Sequence, residues 1–170
     1  MALIITAETS EPIGNLLVAE LKGARKIIYT SPQDLVEVGK TPVLINVSSR
    51  YYQEEELNME KFREMAEVHF FLPYFLLQTY LATECLIFIN LIFKKKGPEW
   101  FTLNVLAQNV VNLFKEAQKF YSKRIIGVVV EGEVTPPEIL HVINFILDNK
   151  VISGVVEVKR DQNSFGDIEN

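Results

Sequence analysis

What most constrains this chain is a pairing in its second half, a long amphipathic segment followed across a short basic turn by an apolar run. Leu103, Leu106, Val110, Leu113, Phe114 and Ala117 recur at three and four, the period of one helix face. The run Ile125 to Val130 then follows, β-branched except at Gly127. A strand with no polar alternation must be covered on both faces, which a parallel sheet between two helical layers provides.

The rest of the chain repeats that alternation. Apolar strand patterns lie at 2–6, 26–30, 43–47, 83–93, 124–130 and 152–158. Helical patterns lie at 11–21, with Pro12 suited to a first turn and Gly23 to a stop; at 58–81, with Asn58 as cap and Pro73 as a kink; at 99–121; and at 135–147, with Thr135 as cap. Residues 33–41 have room for one helical turn at most, and 51–57, with Glu54, Glu55 and Glu56, read as a polar loop. The order predicts an α/β fold: a three-layer, Rossmann-like, doubly wound parallel sheet of about six strands. Residues 1–159 form a single domain in this reading and 160–170 a polar tail. In such sheets a ligand sits at the carboxyl ends of the strands, near the point where strand order reverses.

Composition narrows the function classes. At 170 residues and 48% hydrophobic, a one-domain chain buries about 70% of its unfolded surface. One cysteine, Cys85, excludes an internal disulfide and a Cys-based metal cluster and fits a reducing compartment, so the cytoplasm is expected. His69 and His141 are the only histidines, and no metal site is expected from them. A net charge of −5 argues against a nucleic-acid surface, and Lys94, Lys95 and Lys96 read as a solvated turn. The N-terminus lacks the basic region of a signal peptide. Residues 68–93 are apolar but interrupted by His69, Pro73, Gln78, Thr83, Glu84 and Asn90. A mid-span Glu costs about 2.5–3.5 kcal/mol in a bilayer, so the segment reads as a buried helix and strand and no membrane is expected.

Several stretches, IITAETSEPIG, LINVSS, EVHFF, FINLIF, the block 101–132 and TPPEILHVINFILDNKVISGVVEV, are collinear with elements of one family. The chain resembles a short-chain dehydrogenase/reductase in reduced form. The resemblance implies a nicotinamide nucleotide bound through a Gly-rich turn after the first strand, and a site of Asn, Ser, Tyr and Lys. Carried over by position, these four fall on His69, Phe93, Phe101 and Val105, none of the family's types. A register one residue earlier puts Trp100 and Asn104 at the last two. Phe lacks the phenol that donates a proton, and Val can neither lower a phenol's pKa nor hold a ribose. The cofactor positions fall on Thr6, Ala7, Ile13, Gly14, Asn46 and Gly132. Of the turn's glycines only Gly14 remains, Pro12 has no N–H, and Glu8 and Glu11 would face phosphates.

The expectation is therefore a catalytically degenerate, dehydrogenase-like protein acting as a structural or interaction subunit. It would form a homo-oligomer through helices 58–81 and 99–121, or a heteromer with a related subunit. No cofactor is expected, NAD(P) being the alternative. Two other readings stand beside it: an atypical NAD(P)-binding oxidoreductase with His69 or Tyr51 as proton donor, and a sensor that binds a nucleotide or other small ligand in the same cleft. Ser48, Ser49 and Arg50, at a strand's carboxyl end, are a candidate anion site.

Overall fold

The computed structural model describes residues 2–35, 41–82, 87–121, 123–150 and 152–160. Cys85 and the segment 161–170 lie outside them. Six strands, β1 (Ala2–Thr6), β2 (Arg25–Ile28), β3 (Val43–Asn46), β4 (Ile87–Lys94), β5 (Arg124–Gly132) and β6 (Gly154–Arg160), form one sheet in the order β2-β1-β3-β4-β5-β6. Every pairing is parallel. The order reverses between β1 and β3.

Alternation along the strands supplies two cores. Leu3, Ile5, Leu44, Phe88, Ile92, Ile125 and Val129 face one side, where helices α3 (Leu72–Leu81) and α4 (Phe101–Phe120) cover them, and α2 (Met59–Ala66) packs Met65 and Ala66 against Leu103 and Leu106 of α4. Ile4, Ile45, Ile89, Leu91, Ile126, Val128 and Val130 face the other, under α1 (Pro12–Glu20) and α5 (Pro136–Asp148). Gly127 interrupts the β5 run for a packing reason. A Cβ there would lie 3.1 Å from Ile92 Cδ1 and 3.3 Å from Phe114 Cδ2, so the glycine is what lets the buried Phe114 ring rest on the sheet.

The expected helix at 58–81 begins at its Asn58 cap, whose side chain accepts from the Lys61 N–H at 2.8 Å, but it is not a simple proline-kinked helix. Residues Glu67–Phe71 form a π-helical turn in which the Leu72 N–H reaches back to the Glu67 carbonyl. Pro73 offers no N–H to the preceding turn, and widening that turn absorbs the missing donor without breaking the helix. Strand β2 starts one residue earlier than expected. Strand β6 starts two residues later, at a Gly154 with φ of +98°, and β4 is described from Ile87 because 83–86 lie outside the described residues. The loop 51–57 is not simply polar: Tyr51, Tyr52 and Leu57 pack against Met65, Ala66, Leu103 and Leu106, and Glu54–Glu56 is a 3₁₀ turn. No helix among the described residues is long and apolar enough to cross a membrane.

Candidate functional site

The carboxyl edge of the sheet is where the expected site residues gather. At the β1/β3 reversal the first turn of α1 follows β1 closely. Gly14 is required there by contact, since a Cβ on it would lie 2.5 Å from Thr6 Cγ2. Its role is therefore close helix-to-strand packing, whatever else approaches it.

Most side-chain donors of this region are used by the chain itself, the exception being the buried Ser48 hydroxyl, which has no hydrogen-bond partner among the described residues. Glu11 is the N-cap of α1 and its Oε1 accepts from the Ile13 N–H at 2.9 Å. The other carboxylate oxygen of Glu11 accepts the Ser49 hydroxyl. A buried carboxylate thus lies on the positive end of α1, where anions are favoured. Arg50 crosses from the β3 end to Glu8 at 3.1 Å and donates to the Ala7 carbonyl at 3.2 Å. Thr6 is fully buried and its hydroxyl donates to the Glu8 carbonyl at 3.0 Å. Asn46 is buried and doubly engaged: its amide donates to Asn90 Oδ1 at 2.7 Å across the β3–β4 register pair, and its Oδ1 accepts from the Ser48 N–H at 3.2 Å. Ser49 and Arg50, two of the candidate anion-binding residues, are held by carboxylates in this way.

Beyond β3 the edge turns aromatic. The π turn delivers His69 into the interior, where its Nε2–H donates to the Arg50 carbonyl at 2.7 Å. Desolvation by burial dominates its titration and holds its pKa at about 4, against a weaker upward pull from that hydrogen bond. At neutral pH His69 is an uncharged imidazole. The same turn places Glu67 against the Tyr29 hydroxyl, which donates to it; burial first, then that bond, pushes the Tyr29 phenol far up. Tyr51 packs 6.2 Å from His69, 6.3 Å from Phe93 and 5.5 Å from Trp100, ring centre to ring centre. His69 and Phe93 meet edge to face at 6.5 Å.

The structure therefore brings His69 and Phe93 together and leaves Phe101 and Val105 outside their cluster. Phe101 is 64% exposed and Val105 44% exposed, both on a shallow outer groove shared with Lys94, Gln108 and Glu131. Of the earlier register, Trp100 meets the aromatic cluster, while Asn104 lines the same outer groove as Phe101 and Val105. Trp100 packs on Tyr51, and Asn104 grips the Lys95 backbone, accepting from its N–H at 3.0 Å and donating to its carbonyl at 2.6 Å. Ile13 and Gly132 line a cavity of about 250 Å³ with Glu11, Ser49, Tyr51 and Phe93.

Three residues carry more than the sequence reading assigned them. Glu54 is not merely solvated: it accepts from the Thr102 N–H at 2.6 Å and so caps α4. Glu11 caps α1. Lys95 is not in a solvated turn: its ammonium lies 5.0 Å from the centre of the Tyr51 ring and 5.3 Å from that of Trp100. Among the described residues no group of three or more His, Cys, Asp or Glu could hold a metal ion.

No family model matches the sequence, and no curated protein matches it. Solved structures do match the fold. A small-chain dehydrogenase superposes with a TM-score of 0.70 at 12% identity, covering 100% of this chain and 99% of its own. A short-chain dehydrogenase/reductase from Serratia marcescens gives 0.68 at 14% identity over 92% of this chain and 94% of its own. Serine dehydrogenase from Escherichia coli gives 0.69 at 10% over 93% and 97%. With the six-stranded parallel sheet, its reversal between β1 and β3 and its two helical layers, these matches make the fold that of the short-chain dehydrogenases/reductases.

Proposed function

We propose that this chain is a catalytically silent relative of the short-chain dehydrogenases/reductases that works in the cytoplasm as a structural or interaction subunit. The observation that carries the reading is the Glu11 carboxylate, which takes the Ile13 N–H and the Ser49 hydroxyl at the helix end where a dinucleotide's phosphates would be received. A phosphate brought to that end would meet a carboxylate where it needs donors, and at contact two like charges repel by about 1 kcal/mol in water and by more in a drier site. Around it, the positions matched to the family's four catalytic residues carry a neutral histidine, two phenylalanines and a valine.

The interaction role rests on apolar surface. Phe71 and Phe75 of the helix pair 58–81 are 43% and 38% exposed, and with Phe101 and Val105 they give both helices an uncovered apolar side. A second copy of the chain or a related subunit would cover it. Two measurements test the reading. Titration with NADH and NADPH should leave thermal stability and nucleotide fluorescence flat to millimolar concentration, whereas a binder at a hundredfold excess over its dissociation constant adds about 2.7 kcal/mol. Sedimentation at micromolar concentration should give a species larger than one chain, and a monomer overturns the subunit role.

A further inference from the structure

Tyr51 and Trp100 stand at an interplanar angle of 87° with their centres 5.5 Å apart. Two perpendicular rings make a corner, and the Lys95 ammonium sits over both faces, at 5.0 Å and 5.3 Å. Each distance is inside the roughly 6 Å over which a ring quadrupole attracts a cation. Phe93 and His69 back the Tyr51 wall, and His69 adds no positive charge at neutral pH.

The Lys95 backbone is fixed separately from its head group. Asn104 clamps the Lys95 N–H and carbonyl, so the peptide stays fixed when the side chain leaves. Tyr51 and Lys95 also line the cavity of about 250 Å³ at the sheet's carboxyl edge, whose rim carries Glu133 and whose walls include Val134, Pro136 and Ile139. Aromatic faces, the Glu133 carboxylate at the rim and apolar walls suit a small organic cation, and the other lysine of the lining, Lys94, donates its ammonium to Gln108 Oε1 at 3.0 Å.

We propose that this corner is a binding site for a small alkylammonium ligand, with Lys95 as the resident that the ligand displaces. The inference does not rest on the silent-subunit reading, because ammonium binding needs neither a nucleotide nor an oligomer. Trp100 is the chain's only tryptophan, so its fluorescence reports on the corner alone. The experiment titrates tetramethylammonium chloride into wild type, Lys95→Met and Tyr51→Ala, with sodium chloride at matched ionic strength as control. The clamp on Lys95 is to backbone, so Lys95→Met retains it; circular dichroism checks the fold of both variants.

Wild type is expected to saturate in the millimolar range, Lys95→Met to bind about tenfold more tightly because the resident cation is gone, and Tyr51→Ala to lose the saturable response. The proposal is overturned by no saturable response in wild type up to about 50 mM, or by equal affinity in wild type and Lys95→Met. It is also overturned by a response that sodium chloride reproduces. Should Tyr51→Ala unfold, Tyr51→Leu, which keeps the volume and removes the π face, takes its place. Undiminished binding in that variant counts against the corner.

Discussion

The two halves of the carboxyl edge are packed in different ways. Around β1 and β3 polar groups pair with one another, Glu11 with the Ile13 N–H and Ser49 and Arg50 with Glu8 and Ala7, while the buried Ser48 hydroxyl has no partner among the described residues. Around the end of β4 the side chains are aromatic, and Phe93, Tyr51, Trp100 and the neutral His69 pack together. The first half is closed by charge pairing, which water competes for and substitutions undo at small expense. The second is closed by volume, which cannot be removed without leaving a void.

The largest expected effect follows from the second half. Phe93 is buried between Tyr51, His69 and the α5 side of the sheet, and Phe93→Ala should lower stability by about 3–5 kcal/mol in denaturant unfolding. A loss below about 1 kcal/mol would mean the aromatic cluster is loosely packed and the contrast between the halves is false.

Next is the acid response of His69. Its folded pKa of about 4 lies below the unfolded value of 6.5, so between those values the unfolded chain binds the extra proton. Stability from this group is complete above about pH 6.5 and is lost as pH falls towards 4, by about 3 kcal/mol in all. His69→Gln, which keeps an N–H for the Arg50 carbonyl, should flatten that part of the stability-against-pH curve. An unchanged slope would assign the acid loss to other groups.

Both outcomes bear on how legible the molecule was from residues alone. The parallel sheet, its helices and most caps follow from period and turn chemistry: Asn58 and Thr135 cap where expected, Thr135 as part of a reciprocal capping box with Glu138. The π turn at Glu67–Phe71 was not legible as such. Pro73 marks a lost donor, but whether a helix kinks or widens depends on what the freed residues can reach, here Tyr29 and the Arg50 carbonyl across the cleft. At the site, the residue types at the positions carried over from the resemblance, His69, Phe93, Phe101 and Val105, were readable directly. That Glu11 and Glu54 turn onto helix ends was not, because a carboxylate beside an N-terminus is written the same way whether it caps the helix or faces solvent. That Trp100 and not Phe101 meets Tyr51 is decided at the junction of the 3₁₀ turn Pro98–Trp100 with α4, a one-residue matter that helical periodicity does not resolve.

In the polar half, Glu11→Ala removes one cap bond and one hydroxyl partner, and should lower stability by about 1 kcal/mol. Glu11→Gln, still able to accept from the Ile13 N–H, should recover part of that loss. If neither variant moves the unfolding midpoint, the carboxylate contributes nothing net to α1.

The smallest effect is expected at Arg50. Its pair with Glu8 is partly exposed on both sides, at 35% and 47% of the side chain, so solvent screens the attraction and ordering two long side chains offsets much of the rest. The buried partner of His69 is the Arg50 carbonyl, which no substitution at this position removes. Arg50→Ala should therefore change stability by less than about 1 kcal/mol, and the difference from wild type should shrink as salt rises. A loss of 2 kcal/mol or more that persists in high salt would place Arg50 with the aromatic cluster as a packed element. The charge-closed half would then be as hard to reopen as the half closed by volume, and the division of the edge into two kinds of closure would fail at the residue that joins them.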